Sequence, residues 1–222
     1  MLYDMGNALA VSGRYQEALT NFQMAVSLMP GNSEAHERFG LMLANAGRLE
    51  EAVAQLRLAL QYNPENPATH RTLARMLGQR GELNGSIAEY REALRLEPRD
   101  IESRYSLGLS QASQGNWEEA VQAYVETVRQ APSNAAAHYN LGYAYKVQGR
   151  TDQALIQLTA ALQLNPAFPL AHYNLGCILA ERGRQNEAIQ HLNAALRLKP
   201  DYQDARNKIR ELGGLPEDEH GE

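Results

Sequence analysis

The chain of 222 residues has a net charge of −5, and its hydrophobic residues (44%) never form the run of roughly 20 apolar residues that a membrane span needs. It contains no basic block, so the composition gives no support to nucleic acid or an anionic membrane as a partner. Cys177 is the single cysteine, which excludes an internal disulfide and leaves the fold to be stabilised by packing alone.

A spacing of 34 residues recurs along the chain. Counted back from Pro30, the first of six prolines that share this spacing, Met1 falls at the third position of the first repeat. The first helix is therefore expected to lack part of its first turn. A fixed period of this kind indicates a repeat architecture. The prolines and glycines that share the spacing are Pro30, Pro64, Pro98, Pro132, Pro166 and Pro200, and Gly13, Gly47, Gly81, Gly115, Gly149 and Gly183.

Each repeat predicts two helices, here named helix A and helix B. In the second repeat they are predicted over 33–45 and 49–62. Gly47 permits the positive φ that ends helix A, and Pro64 cannot continue helix B. Such short loops make the two helices antiparallel. N-caps of the A helices are predicted at Asn32, Asn66, Asp100 and Asn134, and Pro67 and Pro169 fall at first helical positions.

The predicted core pairs small residues with large ones at the same spacing. Small residues on helix A let helix B approach, and bulky residues of helix B fill the space between, as dense packing requires. The small residues of helix A are Gly6, Gly40, Ala74, Gly108, Gly142 and Gly176, and their bulky counterparts on helix B are Phe22, Leu56, Tyr90, Tyr124, Leu158 and Leu192.

These positions resemble the tetratricopeptide repeat signature, with a Leu-Gly pair, an aromatic residue, Ala-x3-Phe and a closing Pro over 34 residues. The resemblance covers Met1 to Pro200 and implies an all-α fold: a right-handed α-solenoid, or superhelix, of antiparallel helix pairs. The repeats are predicted over about 1–32, 33–66, 67–100, 101–134, 135–168 and 169–202, followed by a capping helix over 203–212 and an acidic disordered tail over 213–222.

No catalytic motif stands out, since phosphate loops, paired cysteines, His-Glu-x-x-His and nucleophile elbows are all missing from the sequence. His36, His70, His138 and His172 are one repeat apart or a multiple of it, and no acidic ladder completes a metal site. They replace the usual aromatic residue of the repeat, so they are interpreted as packing between helices. The sequence therefore predicts neither a cofactor nor a resident metal.

The resemblance implies that the A helices line a concave groove that holds a peptide. Arg38, Arg71 and Arg75 would form a basic seat for an acidic side chain or a terminal carboxylate. The alternative is that these arginines pair with Glu37 or Glu34. The full predicted peptide-binding set is Asn7, Arg38, Leu41, Arg71, Arg75, Tyr105, Leu109, Tyr139, Asn140, Tyr143, Tyr173, Asn174 and Lys208.

A second zone combines the tyrosines of the set with Asn140 and Asn174. Tyrosine offers a rigid aromatic surface with a polar tip, and asparagine can pair with a peptide unit of the backbone. The repeated Asn resembles the asparagine ladder in the repeats of O-linked N-acetylglucosamine transferase. Because Tyr-Asn-Leu-Gly is close to the plain family pattern, these residues fit both a binding and a structural interpretation.

The resemblance implies a non-catalytic adaptor that binds a peptide segment of a partner protein. The N-terminus of the sequence lacks the charged and apolar regions of a signal peptide, so a cytoplasmic location is expected. An alternative is the repeat portion of a larger enzyme or of a secretion or assembly machine, which would present substrate to a domain elsewhere. A third is end-to-end self-association, since an incomplete first turn would expose an apolar end on which another copy could stack.

Overall fold

The computed structural model describes residues 1–215, and every regular element among them is an α-helix. This confirms the predicted all-α class. The helices of this part of the chain are α1 (Leu2–Val11), α2 (Tyr15–Leu28), α3 (Ser33–Asn45), α4 (Leu49–Tyr62), α5 (Pro67–Gln79), α6 (Leu83–Leu96), α7 (Ile101–Ser113), α8 (Trp117–Gln130), α9 (Ala135–Val147), α10 (Thr151–Leu164), α11 (Pro169–Glu181), α12 (Gln185–Leu198) and α13 (Gln203–Glu211).

The chain divides into two compact units, Met1–Gln114 and Gly115–Glu222. The first unit contains α1 to α7 and the second contains α8 to α13. The division lies inside the fourth predicted repeat, between its helix A and its helix B. Within each unit, helices that follow one another along the chain pack together as neighbours. Of the predicted acidic tail, residues 216–222 lie outside the described residues.

The helix ends follow the predicted signals. Asn32, Asn66, Asp100 and Asn134 each accept hydrogen bonds from backbone N–H groups of the first turn that follows them. Phe168 takes this position in front of α11 and makes no side-chain cap, and the proline that follows it lacks one of the N–H groups that would otherwise be unpaired. The glycine that follows each A helix, one per repeat, has a positive φ between 72° and 82°. At Gly149, for example, φ is 72°, a backbone conformation that glycine adopts without steric cost.

The close approach of helices A and B is confirmed at the interface glycines. A Cβ atom on Gly142 would lie 2.9 Å from Leu158 Cγ and 3.2 Å from the carbonyl oxygen of Ala154. Leu158 and Ala154 are both fully buried, so there is no free space into which they can move. The small residue on helix A therefore sets how close the two helices of a pair lie.

The histidine series packs between helices, as predicted. Each Nε2–H group donates to the carbonyl of the proline that ends the preceding helix B, at 2.9–3.1 Å. Because a carbonyl oxygen can only accept, Nε2 carries the proton in each ring. The donors are His36, His70, His138 and His172, and their acceptors are Pro30, Pro64, Pro132 and Pro166.

The other ring nitrogen faces helix B of the same repeat, and the sixth repeat differs from the rest. Gln55, Glu89 and Gln157 contact this nitrogen in the second, third and fifth repeats. In the sixth repeat the partner is His191, whose Nδ1 lies 2.9 Å from Nδ1 of His172. Because the neutral His172 ring carries its proton on Nε2, its Nδ1 can only accept, and Nδ1–H of His191 is the donor.

We expect this histidine pair to make the sixth repeat sensitive to acid. Burial lowers the pKa of both His172 and His191. A histidine with a lowered folded-state pKa binds more protons when unfolded, so its contribution to stability falls as pH drops below about 6.5. Replacing His191→Gln supplies the residue found at this position in the second and fifth repeats and removes one of the two groups.

The measurement is urea unfolding of wild type and His191→Gln at pH values above and below about 6.5. The wild type should lose more of its free energy of unfolding on acidification than the variant. Parallel losses in the two proteins would show that the pair does not titrate in this range.

Candidate functional site

The first unit places the three arginines of the predicted basic seat on two successive A helices, α3 and α5, and one of these arginines is already paired. Arg71 Nη1 donates to Asp100 Oδ2 at 2.6 Å, and its Nε lies 3.8 Å from Glu102 Oε2. Burial by itself would lower the pKa of Arg71, but the bond to Asp100 raises it overall. Its partners are therefore Asp100, the last residue of its own repeat, and Glu102 of the following repeat, whereas the alternative weighed from the sequence was pairing with Glu37 or Glu34.

Glu37 and Glu34 make other contacts. Glu37 Oε2 accepts from Asn66 Nδ2 at 3.0 Å and from Thr69 Oγ1 at 2.7 Å. Glu34 accepts a hydrogen bond from the Tyr3 hydroxyl. Both acids therefore connect one A helix to another, and neither of them is an ion-pair partner of Arg71.

Arg38 and Arg75 are exposed. Arg38 and two other predicted residues, Asn7 and Leu41, line one surface depression of about 430 Å³ whose floor includes Phe22. The structure thus brings part of the predicted set together on α1 and α3. Arg75 lies on α5 and is not among the residues that line this depression.

The remaining predicted residues of the first unit lie on α7. Tyr105 is half-buried and Leu109 is 40% exposed. Leu109 is an exposed large apolar side chain on a helix A face, which is compatible with a contact surface.

In the second unit three predicted tyrosines lie on two successive A helices and are here called the tyrosine surface: Tyr139 and Tyr143 of α9 and Tyr173 of α11. The ring centroids of Tyr139 and Tyr143 are 6.3 Å apart in a stacked arrangement. Tyr143 is the most accessible of the three, with 38% of its surface exposed. Its position and its polar tip suit contact with a peptide.

Aromatic residues that the sequence did not single out border the tyrosine surface. Phe168 lies 4.7 Å from Tyr139 and Trp117 lies 5.9 Å from Tyr143, between ring centroids. Tyr202 lies 4.9 Å from Tyr173. They precede or begin helices, where the helix-face pattern used for prediction does not apply.

The hydroxyls of Tyr139, Tyr173 and Tyr202 remain protonated near neutral pH. Burial raises the pKa of Tyr139 to about 12. Burial is likewise the largest cause that raises the pKa of Tyr202, to about 12, and the pKa of Tyr173. A protonated phenol can donate as well as accept a hydrogen bond. The surface therefore offers hydrogen-bond donors to a ligand.

Asn174 lies beneath this surface and is only 4% exposed. Its Nδ2 donates to the carbonyl of Leu170 at 2.9 Å and to the Tyr139 hydroxyl at 3.4 Å, and its Oδ1 accepts from Lys146 Nζ at 2.9 Å. Its amide is engaged within the protein, so it positions its neighbours. Asn140, one repeat earlier, is half-buried.

Lys208, the last residue of the predicted set, lies on α13, and its Nζ pairs with Glu211 Oε2 at 2.8 Å. Lys146 was not predicted, although its sequence position carried a signal. It stands where the other repeats have a small residue, namely Ala10, Ala44, Gly78, Ala112 and Ala180.

Metal-binding clusters and membrane-spanning helices are both missing from the described part of the chain. Within 1–215, no three His, Cys, Asp or Glu side chains are grouped so that they could hold a metal ion. None of the helices in this range has both the length and the apolar character needed to cross a bilayer.

Family comparison finds repeats along most of the chain. The profile described as "Tetratricopeptide repeat" matches residues 3–68 and 139–203. A second profile, described as "TPR repeat", matches residues 74–115 and 112–149. No curated protein sequence matches the chain significantly.

Solved structures share the fold at low sequence identity. YrrB, described as a TPR protein with an unusual peptide-binding site, is 20% identical with a TM-score of 0.76, over 85% of this chain and 97% of that one. PilF of Pseudomonas aeruginosa is 14% identical with a TM-score of 0.77, over 95% and 96%. MamA of Desulfovibrio magneticus RS-1 is 19% identical with a TM-score of 0.72, over 77% and 96%.

Proposed function

Because the chain belongs to the tetratricopeptide repeat family, we propose that it is a non-catalytic scaffold that binds a peptide segment of a partner protein on the surface of its A helices. YrrB, which shares this fold, is described as having a peptide-binding site. The family fold is a frame that serves many functions, so the binding surface of this chain depends on its own surface residues.

The observation that carries the proposal is the tyrosine surface of the second unit. Tyr139 and Tyr143 stack on each other, Tyr139 also packs on Phe168 and is bonded by Asn174, and Tyr173 packs on Tyr202. Little side-chain entropy is therefore lost when a ligand binds these rings. Aromatic side chains that are both rigid and accessible carry a large share of the binding energy in protein interfaces. In the first unit, by contrast, Arg71 is already paired with Asp100.

Selection of peptides from a random phage library on the immobilised chain tests this proposal. The selected peptides should bind the wild type, and Tyr143→Ala should weaken their binding about tenfold or more, because it removes the most accessible ring. Circular dichroism would show whether the variant keeps its helices.

Tyr62→Ala is the matched control. Tyr62 is 47% exposed and ends helix α4, a B helix of the first unit. Its removal should leave peptide affinity unchanged. Failure to select any peptide, or equal losses in the two variants, would argue against binding through the tyrosine surface.

A second candidate is self-association, and the first repeat supplies the observation that favours it. Met5 is 55% exposed, whereas the residues at the same position in the other repeats, Phe39, Leu73, Leu107, Leu141 and Leu175, are all buried. Two copies could cover this apolar face symmetrically. Light scattering should then show mass rising with concentration in the wild type and a monomer in Met5→Glu. A wild-type monomer at every concentration would remove this candidate.

The interpretation as the repeat portion of a larger enzyme or machine stays a prediction of the sequence.

A further inference from the structure

Lys146 occupies a position that repeat packing does not explain. It lies in the last turn of α9, where every other repeat has alanine or glycine. A small residue therefore suffices for the fold at this position. The long cationic side chain is a departure that belongs to this repeat, and its contacts indicate what it can do.

The ammonium group is held by a neutral partner. Lys146 Nζ donates to Asn174 Oδ1 at 2.9 Å and lies 6.0 Å from the ring centroid of Tyr173. No ion pair joins it to a carboxylate within residues 1–215, whereas Lys208 pairs with Glu211 and Arg182 with Asp152. An ammonium has three N–H groups, so two of them remain available beside the bond to Asn174.

A second donor flanks the same amide. The Tyr139 hydroxyl accepts from Asn174 Nδ2 at 3.4 Å, which leaves its own proton free to be donated. Asn174 is buried and is fixed further by the carbonyl of Leu170 at 2.9 Å. One amide therefore holds a cation at its oxygen and a hydroxyl at its nitrogen.

We propose that Lys146 and Tyr139 together receive the carboxylate of an Asp or Glu side chain of the bound peptide. The inference rests on the proposed function, because the peptide must already lie on the tyrosine surface. The carboxylate would accept one hydrogen bond from the ammonium and one from the hydroxyl, and bonds of this charge-assisted kind are about twice as strong as neutral ones. The scaffold thereby prefers acidic peptides.

The geometry favours a side chain over a peptide terminus. Lys146 contacts Asn174, which also bonds Tyr139, and it lies near Tyr173, which packs on Tyr202. The ammonium is thus linked to two groups of rings, to Tyr139 through Asn174 and to the Tyr173–Tyr202 pair directly. We expect a peptide that contacts both groups to meet Lys146 with an interior residue.

The peptide selection tests this inference separately from the function. Peptides fused to phage through their C-terminus have no free terminal carboxylate, so enrichment of Asp or Glu reports side chains. We expect such enrichment on the wild type and its loss on Lys146→Met, which removes the charge and keeps most of the length. Lys199→Met is the matched control, because Lys199 lies 5.2 Å from the Tyr202 ring but makes no bond to Asn174.

A selected acidic peptide and its analogue with Asn or Gln at the enriched position then complete a double-mutant cycle. Replacing the acidic residue of the peptide by Asn or Gln should weaken its binding to the wild type about tenfold. The same replacement should hardly change its binding to Lys146→Met. Peptides that bind through the tyrosine surface without acidic preference would overturn this inference and leave the proposed function standing. Selection of no peptide at all would overturn both.

Discussion

Replacing Asp100 by alanine is expected to lower the free energy of unfolding by roughly 2–3 kcal/mol, more than the loss of an ordinary helix cap. Its Oδ1 accepts from the backbone N–H groups of Glu102 and Ser103, and its Oδ2 accepts from Ser103 Oγ and from Arg71. The Asp100 side chain is only 8% exposed. Its removal leaves a helix start uncapped and a half-buried arginine without its closest partner.

Asn134→Ala is the matched control for Asp100→Ala. Asn134 has the same position one repeat later, but its side chain caps a single backbone N–H, that of Ala137 at 3.0 Å. Its loss should cost about 1 kcal/mol. Urea unfolding followed by circular dichroism compares the two, and equal losses would mean that the contacts with Arg71 and Ser103 contribute nothing.

The same carboxylate predicts a dependence on pH. Burial alone would raise the pKa of Asp100, but hydrogen bonds from Ser103 and Arg71 outweigh it and hold the pKa below its ordinary value. A carboxyl with a lowered folded-state pKa contributes stability that is present above about pH 4 and is lost as pH falls through the folded value. Asp100→Asn keeps an acceptor for the cap, so it should remove this part of the acid sensitivity.

Gly142→Ala is expected to destabilise the second unit by about 1–3 kcal/mol, although alanine is the better helix former. The added Cβ would lie 2.9 Å from Leu158 Cγ and 3.1 Å from the Leu158 backbone nitrogen. Backbone atoms cannot turn aside as a flexible side chain can. The pair α9 and α10 must therefore separate, and buried contacts are lost.

Gly78→Ala makes the comparison for Gly142→Ala. Gly78 also lies in a helix A, but the added Cβ would meet only Ser86, at 3.2 Å from its Oγ and 3.9 Å from its Cβ. A gain of up to about 1 kcal/mol in helix propensity can offset so small a contact. Thermal or urea unfolding should show a clear loss for Gly142→Ala and little change for Gly78→Ala. Similar losses would show that the spacing of helices does not depend on the residue at position 142.

The helices could be predicted from the sequence because their ends depend on local chemistry. Gly47 and Asn32 act on the turn in which they stand, so their roles can be read without knowing the neighbours. The small residues of helix A could be predicted for the same reason, since each acts on the helix B that follows it by a short loop.

The partners of the predicted site residues could not be predicted in this way. Arg71 and Asp100 are 29 positions apart, and Asn174 and Lys146 are 28 apart. Such contacts depend on how one repeat packs on the next, which the repeat pattern does not encode. The lysine at position 146 was nevertheless visible as a departure from a column of small residues. A position-by-position comparison of the repeats would have found it.

Amide chemical-shift mapping tests most directly whether a peptide binds on the tyrosine surface. The ¹⁵N-labelled chain is titrated with a peptide selected on the wild type. Shifts should concentrate on α9 and α11, around Tyr139, Tyr143, Lys146 and Tyr173. Shifts confined to the B helices α8, α10 and α12, or to the depression lined by Asn7, Arg38 and Leu41, would contradict binding on this surface.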